Sequence, residues 1–240
     1  MFVYTLMSNP YFQFKQFIVY HDQCAMKVGT DGVLLGGWTE LCNADSILDI
    51  GTGSGLIALM LAQRSKAQID AIDMDENACK QAESNFKNSP FANQLKVHHS
   101  SLQDFQSGNQ YDLIVSNPPF FSASLKSPDS QRNKARHNDS LSSEELFVNT
   151  KRLLTPNGRF CIIIPFDRNE SINRIACQNQ FFLKRETVVL PTPNSNPKRV
   201  LLEYSLHESL CEKNRIIIET SRHRYSEEFI RLTKDYYFNV

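Results

Sequence analysis

One short stretch constrains this chain more than any other: a glycine turn set between an apolar strand and an apolar helix. In Asp49-Ile50-Gly51-Thr52-Gly53-Ser54-Gly55-Leu56, a strand over residues 46–50 gives way to a helix over residues 56–64. Glycine lets the backbone turn sharply and lets a ligand approach without meeting a Cβ. A second strand (68–73) and helix (76–88) follow, the helix stopping ahead of Pro90. Strands at 94–99 and 112–116 come next, then a helix at 143–154 ended by the turn Thr155-Pro156-Asn157-Gly158. A buried type of strand (159–164) and a helix (169–179) complete the alternation. Strands alternating with helices are the signature of βαβ units and a parallel sheet.

Two more strands, 182–190 and 200–206, flank the loop P-T-P-N-S-N-P and should pair antiparallel, because the link is too short for a crossover. The fold class expected is therefore α/β: a mostly parallel, seven-stranded sheet with an antiparallel C-terminal hairpin and helices on both faces. The tail beyond Cys211 holds a short strand candidate (216–218) and a helix candidate (227–237). The whole chain, 1–240, reads as one domain, with 1–44 an N-terminal extension packing on the ligand site and 207–240 a C-terminal appendage. Tyr11, Phe12, Phe14 and Phe17 read as core packing rather than an exposed platform.

Composition removes several classes of function. The 26 basic and 26 acidic side chains balance, so no overall basic field draws in nucleic acid, and any such binding must come from local patches. No apolar window is long enough for a membrane span. Six cysteines lie scattered without zinc spacing, which suits free thiols in a reducing compartment and no metal. No secretory signal is read, so the cytoplasm is the expected location.

The glycine turn is not that of a dinucleotide site. A pyrophosphate turn wants G-x-G-x-x-G, whereas here the spacing is G-x-G-x-G and Leu56 stands where the last glycine belongs. Asp73, 22 residues beyond Gly51 at the end of the second strand, can still accept both ribose hydroxyls. A nucleoside ligand without phosphates fits this pair of features, and S-adenosylmethionine is the common one. The second motif, Asn117-Pro118-Pro119-Phe120, directly follows the fourth strand. Consecutive prolines stiffen the backbone and leave carbonyls free to accept. The Asn117 amide oxygen and the Pro118 carbonyl can together hold both hydrogens of a planar –NH2, and Phe120 offers a face for stacking a base.

The set D-I-G-T-G-S-G, Asp73 and N-P-P-F resembles the class I S-adenosylmethionine-dependent amino-methyltransferases, whose core is Rossmann-like. The upstream run H-D-Q-C-A-M-K-V-G-T-D-G-V-L-L-G (21–36) and the triplet Ala135-Arg136-His137 narrow the resemblance to the tRNA1(Val) (adenine(37)-N6)-methyltransferase family. The resemblance implies that Thr30 and Asp31 lie near the methionine end of the cofactor. It implies that Asp49, Gly51, Gly53 and Gly55 line the cofactor, that Asp73 holds ribose, and that Asn117 to Phe120 hold the target amine and base. Ser101 stands where an acidic residue often reads the cofactor adenine, with Asp104 three residues on as the alternative. Lys126, Arg132, Lys134 and Arg136 against Asp129 make the polar stretch after the motif an expected tRNA contact, with Arg136 and His137 meeting phosphates. In the tail, Arg215, Arg222, His223, Arg224, Arg231 and Lys234 are nearly matched by acids and barely make a patch.

Three other readings remain open on sequence. A methyltransferase acting on a glutamine side-chain amide of a protein uses N-P-P-Y on the same fold, usually behind a helical N-terminal domain that the residues before the glycine turn are too few to form. An rRNA guanine N2-methyltransferase uses N-P-P-F on a longer, duplicated chain. A non-catalytic nucleoside-binding adaptor would have no use for paired amine acceptors. A monomer is the default oligomeric state.

Overall fold

The computed structural model describes residues 9–24, 27–119 and 141–238. Its centre is one eight-stranded sheet. We number the elements β1 (Tyr11–Gln13), β2 (Ile18–Tyr20), α1 (Thr30–Trp38), β3 (Ser46–Ile50), α2 (Leu56–Ala62), β4 (Gln68–Asp73), α3 (Glu76–Lys87), β5 (Leu95–His99) and β6 (Tyr111–Ser116). They continue with α4 (Ser143–Leu153), β7 (Leu154–Pro165), α5 (Asn169–Gln178), β8 (Phe182–Leu190), β9 (Arg199–Ser205), β10 (Glu212–Ile217), β11 (Glu219–Ser221), β12 (Arg224–Tyr225) and α6 (Glu227–Thr233). The strand order is β10-β8-β9-β7-β6-β3-β4-β5. Only β9 runs against the rest, antiparallel to both β7 and β8. Among the described residues no helix is long and apolar enough to cross a membrane.

Two apolar layers cover the sheet. On one face Ile47, Ile69, Ala71, Leu113, Val115 and Leu201 meet α1, α2, α3 and α6. On the other, Leu48, Ile72, Ile114, Phe160, Ile162 and Leu202 meet α4 and α5. The alternation of neighbouring residues between the two layers is the period-2 signature of a strand buried on both sides.

The strands and helices expected from the sequence occur within one or two residues of their expected ends, with instructive exceptions. The expected seven strands are eight: β10 begins at Glu212, earlier than the short candidate, and pairs parallel with β8 from Glu212↔Arg185 to Ile217↔Leu190. Its first four residues are exposed and charged or polar, so no apolar pattern marks them. The turn Thr155 to Gly158 does not separate α4 from a strand. It is a bulge inside β7, where the register jumps from Tyr111↔Leu154 to Leu113↔Arg159. The expected tail helix ends at Thr233.

Helix α1 escapes the sequence reading because Gly32, Gly36 and Gly37 look like breakers. They are contact points. A Cβ on Gly36 would lie 2.7 Å from the Met60 sulfur of α2, and one on Gly37 would lie 2.7 Å from the Leu232 carbonyl of α6. Arginines pin the far end of α1. Arg185 bonds the Trp38 carbonyl, its guanidinium sits 3.8 Å over the indole, and it shares buried Glu203 with Arg159.

The N-terminal hairpin β1–β2 divides the aromatic cluster. Phe14 and Phe17 are buried as expected, but Tyr11 and Phe12 remain 37% exposed. Phe14 stacks on Tyr237, which ties the start of the described chain to its end.

Because the Leu232 carbonyl is backbone and cannot swing aside, Gly37→Ala should destabilise the fold by about 1–3 kcal/mol, the range of overpacked cores. For a chain this long that lowers Tm by several degrees (about 2–4 °C per kcal/mol). An unchanged thermal midpoint would contradict the close α1–α6 contact.

Candidate active site

The sheet register assembles the site. Strand β3 lies between β4 and β6, and Ile50 is level with Ile72 on one side and Ser116 on the other. The segments that leave these strands, starting at Gly51, Asp73 and Asn117, therefore emerge side by side from one edge, with strands about 4.8 Å apart. The chain order reverses between β3 and β6, which makes this the topological switch point where open α/β sheets bind ligands.

Gly51, Gly53 and Gly55 all adopt left-handed backbone, with φ of +70°, +55° and +83°. They then differ. A Cβ on Gly51 or Gly53 would meet nothing within 4 Å, so these two border open space. A Cβ on Gly55 would run into the Phe86 ring of α3, so Gly55 is there for packing and for starting α2. The N–H groups of the turn point inward: Gly51 and Thr52 donate to the Ile72 carbonyl, Gly55 to the Thr52 carbonyl, and Gly53 to Asp73 Oδ2. A phosphate cradle would leave such donors free. Their use inside the protein agrees with a ligand that carries no phosphate.

Two carboxylates flank the turn. Asp73 accepts from Gly53 N at 2.9 Å and from Asp75 N at 3.0 Å, and each oxygen keeps a further lone pair. The cap of α3 is Asp75, which accepts from Asn77 N, so Asp73 is not spent on capping. Asp49 is wholly buried. Its Oδ2 accepts from the Thr52 hydroxyl at 2.7 Å, while its Oδ1 is buried without a partner among the described residues. Burial pushes this carboxyl up to about 7, opposed by the Thr52 and Ala58 hydrogen bonds and aided by the Asp73 charge. A buried carboxylate oxygen left without a partner is costly, and a ligand ammonium group would satisfy it.

Ser101 and Asp104, the alternatives for reading an adenine, form one unit after β5. The Ser101 hydroxyl donates to Asp104 Oδ2 at 2.7 Å and accepts from Asp104 N at 3.1 Å. Thr30 opens α1, whose Gly32 abuts Leu56 at the head of α2. Asp31, in the first turn of α1, is held by Arg199 Nε at 2.8 Å. Since Arg199 is level with Pro165 at the end of β7, this ion pair also stands at the site edge of the sheet.

On the other flank, the Ser116 hydroxyl donates to the Ile50 carbonyl at 3.0 Å, fastening the end of β6 to the end of β3 immediately before Asn117. Asn117 and Pro118 are half-buried and Pro119 is exposed. The Asn117 side chain has no hydrogen-bond partner among the described residues. Phe120, Arg136 and His137 lie outside the described residues.

Sequence reasoning missed Asn85, which is 1% exposed on α3. Its amide accepts from Tyr20 N at 3.0 Å and donates to the Tyr20 and Ser54 carbonyls, both at 2.8 Å. It thus bolts the N-terminal hairpin to the glycine turn. One helical turn earlier, Gln81 accepts from Gln23 N at 3.1 Å. Two buried amides four residues apart on an amphipathic helix were the available signal. The Arg199 partner of Asp31 had no signal, being 168 residues distant in sequence.

Comparison with known proteins agrees with this architecture. Residues 33–186 match the methyltransferase small domain family. A protein from Parabacteroides distasonis named tRNA1(Val) (adenine(37)-N6)-methyltransferase is 51% identical over 237 residues, covering 98% of this chain and 100% of that protein. One of the same name from Bacteroides fragilis is 48% identical over the same shares of both chains. Among solved structures, a predicted O-methyltransferase from Agrobacterium tumefaciens superposes with a TM-score of 0.66 at 17% identity, over 88% of this chain and all of that one, a likeness of fold. With near-half identity along almost its whole length, the chain belongs to the tRNA1(Val) (adenine(37)-N6)-methyltransferase family, within the methyltransferase small domain family.

Proposed function

We propose that this protein transfers a methyl group from S-adenosylmethionine to the exocyclic N6 of adenine in tRNA, at adenine 37 beside the anticodon of a valine tRNA. The observation that carries the reading is the register of β3 with β6, which sets Asn117-Pro118 next to the open face of Gly51 and Gly53. The names of the full-length relatives support the substrate. The same reading places the protein in the cytoplasm with its tRNA.

The residues present fit the cofactor. Asp73 accepts the ribose hydroxyls, Gly51 and Gly53 leave room for the nucleoside, and the Asp49 Oδ1 takes up the ammonium of the methionine part. Thr30 and Asp31 lie toward that same end, and the Ser101–Asp104 unit reads the adenine. When bound, the cofactor supplies a sulfonium methyl that its positive charge has already activated.

What the protein adds is position. The Asn117 amide oxygen and the Pro118 carbonyl accept the two amine hydrogens, which draws the nitrogen toward pyramidal geometry and frees its lone pair for in-line attack. Phe120 stacks the base, and Arg136 and His137 meet phosphates. Alignment of this kind reaches effective molarities of about 10⁵–10⁸ M in favourable cases. Turning the adenine out of its loop costs a few kcal/mol, roughly offset by stacking worth about 1–3 kcal/mol. The proton leaves to water once nitrogen is cationic, so no general base is assigned. A glutamine amide presents the same planar –NH2, and the N-P-P turn would hold it equally well. The tRNA reading is preferred because the full-length relatives carry that name.

Two measurements check these roles. Asn117→Ala should reduce methyl transfer to tRNA by about 100-fold or more, the loss seen when one preorganised donor or acceptor is removed, while calorimetric affinity for S-adenosylhomocysteine stays within a few-fold. Retained turnover would remove Asn117 from the chemistry. The second concerns Asp49, whose carboxyl titrates at about 7 against 3.8 for the ordinary side chain. Affinity for S-adenosylmethionine should rise with pH toward about 7 and then level off, because only the ionised form pairs with the ammonium. Between those two values the unfolded chain has released the proton that the folded chain keeps, so folding stability falls as pH rises through this window. Asp49→Asn should flatten both profiles, and an unchanged pH dependence of binding would contradict the assignment.

A further inference from the structure

The eighth strand carries a basic hairpin to the rim of the site. Strand β10 runs parallel to β8, and so in the same sense as β6 and β3. Its carboxyl end, Ile217, is therefore at the same sheet edge as the glycine turn and Asn117. The chain continues past that edge, with Ile218 N donating to the Leu190 carbonyl and Glu219 N to that of Pro191. It then forms the β11–β12 hairpin, in which Ser221 pairs with Arg224 across the two-residue turn Arg222-His223.

Three features of this hairpin point to a ligand. Its tip presents Arg222, His223 and Arg224, all exposed, with no acidic residue between Ser221 and Tyr225. None of the three forms an ion pair with a described residue, although arginines elsewhere, such as Arg159, Arg185 and Arg199, do. His223 adopts φ of +62°, a conformation that glycine or asparagine would hold at less cost. The tip is also braced from below. The Ser226 hydroxyl donates to the Ile217 carbonyl and accepts from Phe229 N, and Tyr225 stacks on Phe229 with ring centroids 4.8 Å apart.

From β6 to β10 there are four strand spacings, a lateral reach of about 19 Å. Arg168 and Lys198 stand exposed on the same edge between them, joined where Phe166 N donates to the Lys198 carbonyl. A stacked nucleic-acid strand rises roughly 3.4 Å per nucleotide along its axis, so about five or six stacked nucleotides span this crest. We propose that Arg222 and Arg224 bind backbone phosphates of the tRNA strand next to the flipped adenine, and that Arg168 and Lys198 line the path between. The proposal rests on the tRNA reading above and supplies what a chain of zero net charge needs, a local excess of cations at the reaction edge, with Arg168, Lys198, Arg222 and Arg224 set against Asp167 and Glu219.

The test is the salt dependence of tRNA binding. Removing one side chain that neutralises a phosphate lowers the slope of log affinity against log salt by about 0.7–0.9. Arg222→Ala/Arg224→Ala should therefore lower the slope by about 1.5 and raise KM for tRNA roughly ten-fold, with kcat and S-adenosylhomocysteine affinity unchanged. Arg222→Lys/Arg224→Lys should restore most of the slope. Lys66→Ala/Lys184→Ala, which removes two exposed charges at the opposite edge, should leave it near wild type. A wild-type slope in the arginine double variant, or an equal loss in the lysine control, overturns the hairpin assignment while the tRNA reading stands. A wild-type protein that neither binds nor methylates tRNA overturns both.

Discussion

The parallel pairing of β3 with β6, level at Ile50 and Ser116 and fastened by the Ser116 hydroxyl, is the constraint on which the site depends. A register slip of one residue would turn every side chain of a strand to the other face. Here both faces are buried, so a slip would expose nothing to water but would break the interdigitation with helices on both sides. The pairing is thereby held from two directions. The chemistry then resides in the residues at and just beyond the strand ends: a glycine turn after β3, a carboxylate at the end of β4, a rigid Asn-Pro-Pro after β6.

Around that edge the protein uses two kinds of fastening. Glycines let the α1 backbone close onto the Leu56 and Met60 side chains of α2 and onto the Leu232 carbonyl of α6, which larger residues would prevent. Polar groups then fix direction: the partly exposed pair of Arg199 with Asp31 at the head of α1, and, buried, Arg185 and Arg159 about Glu203 at its tail and Asn85 between the hairpin and the glycine turn. The buried charges about Glu203 are costly to leave half-paired, typically about 3–5 kcal/mol for a buried charge that loses its partner.

The sheet core was legible because its strands are apolar runs and its helices are bounded by breakers. Residues 46–50 and 68–73 match β3 and β4 at both ends. The rest was hidden for definite reasons. In α1 the glycines serve contacts that only the packed state reveals. In β10 the exposed residues carry no periodicity. In β7 the Pro-Asn-Gly stretch has turn chemistry but sits in a bulge, where turn residues are equally at home. The grouping of Gly51, Gly53 and Asp73 followed from spacing along two adjacent strands, and Asp49 joined it through the family resemblance, whereas Asn85 and Arg199 meet their partners only through the fold. Gly55 shares the left-handed backbone of its neighbours but packs on Phe86, a difference no sequence pattern carries. Likewise, counting tail charges made the C-terminal residues nearly neutral, and only the strand direction shows which of them gather at the reaction edge.

The central claim concerns which amine receives the methyl group. Its most direct measurement is nucleoside mass spectrometry of a valine tRNA transcript after incubation with the protein and S-adenosylmethionine, with release factors in a parallel reaction. N6-methyladenosine is expected in the fragment that carries position 37, with no methylated glutamine. Methyl label on a release-factor glutamine, or on a guanine amine with adenine 37 untouched, would contradict the claim.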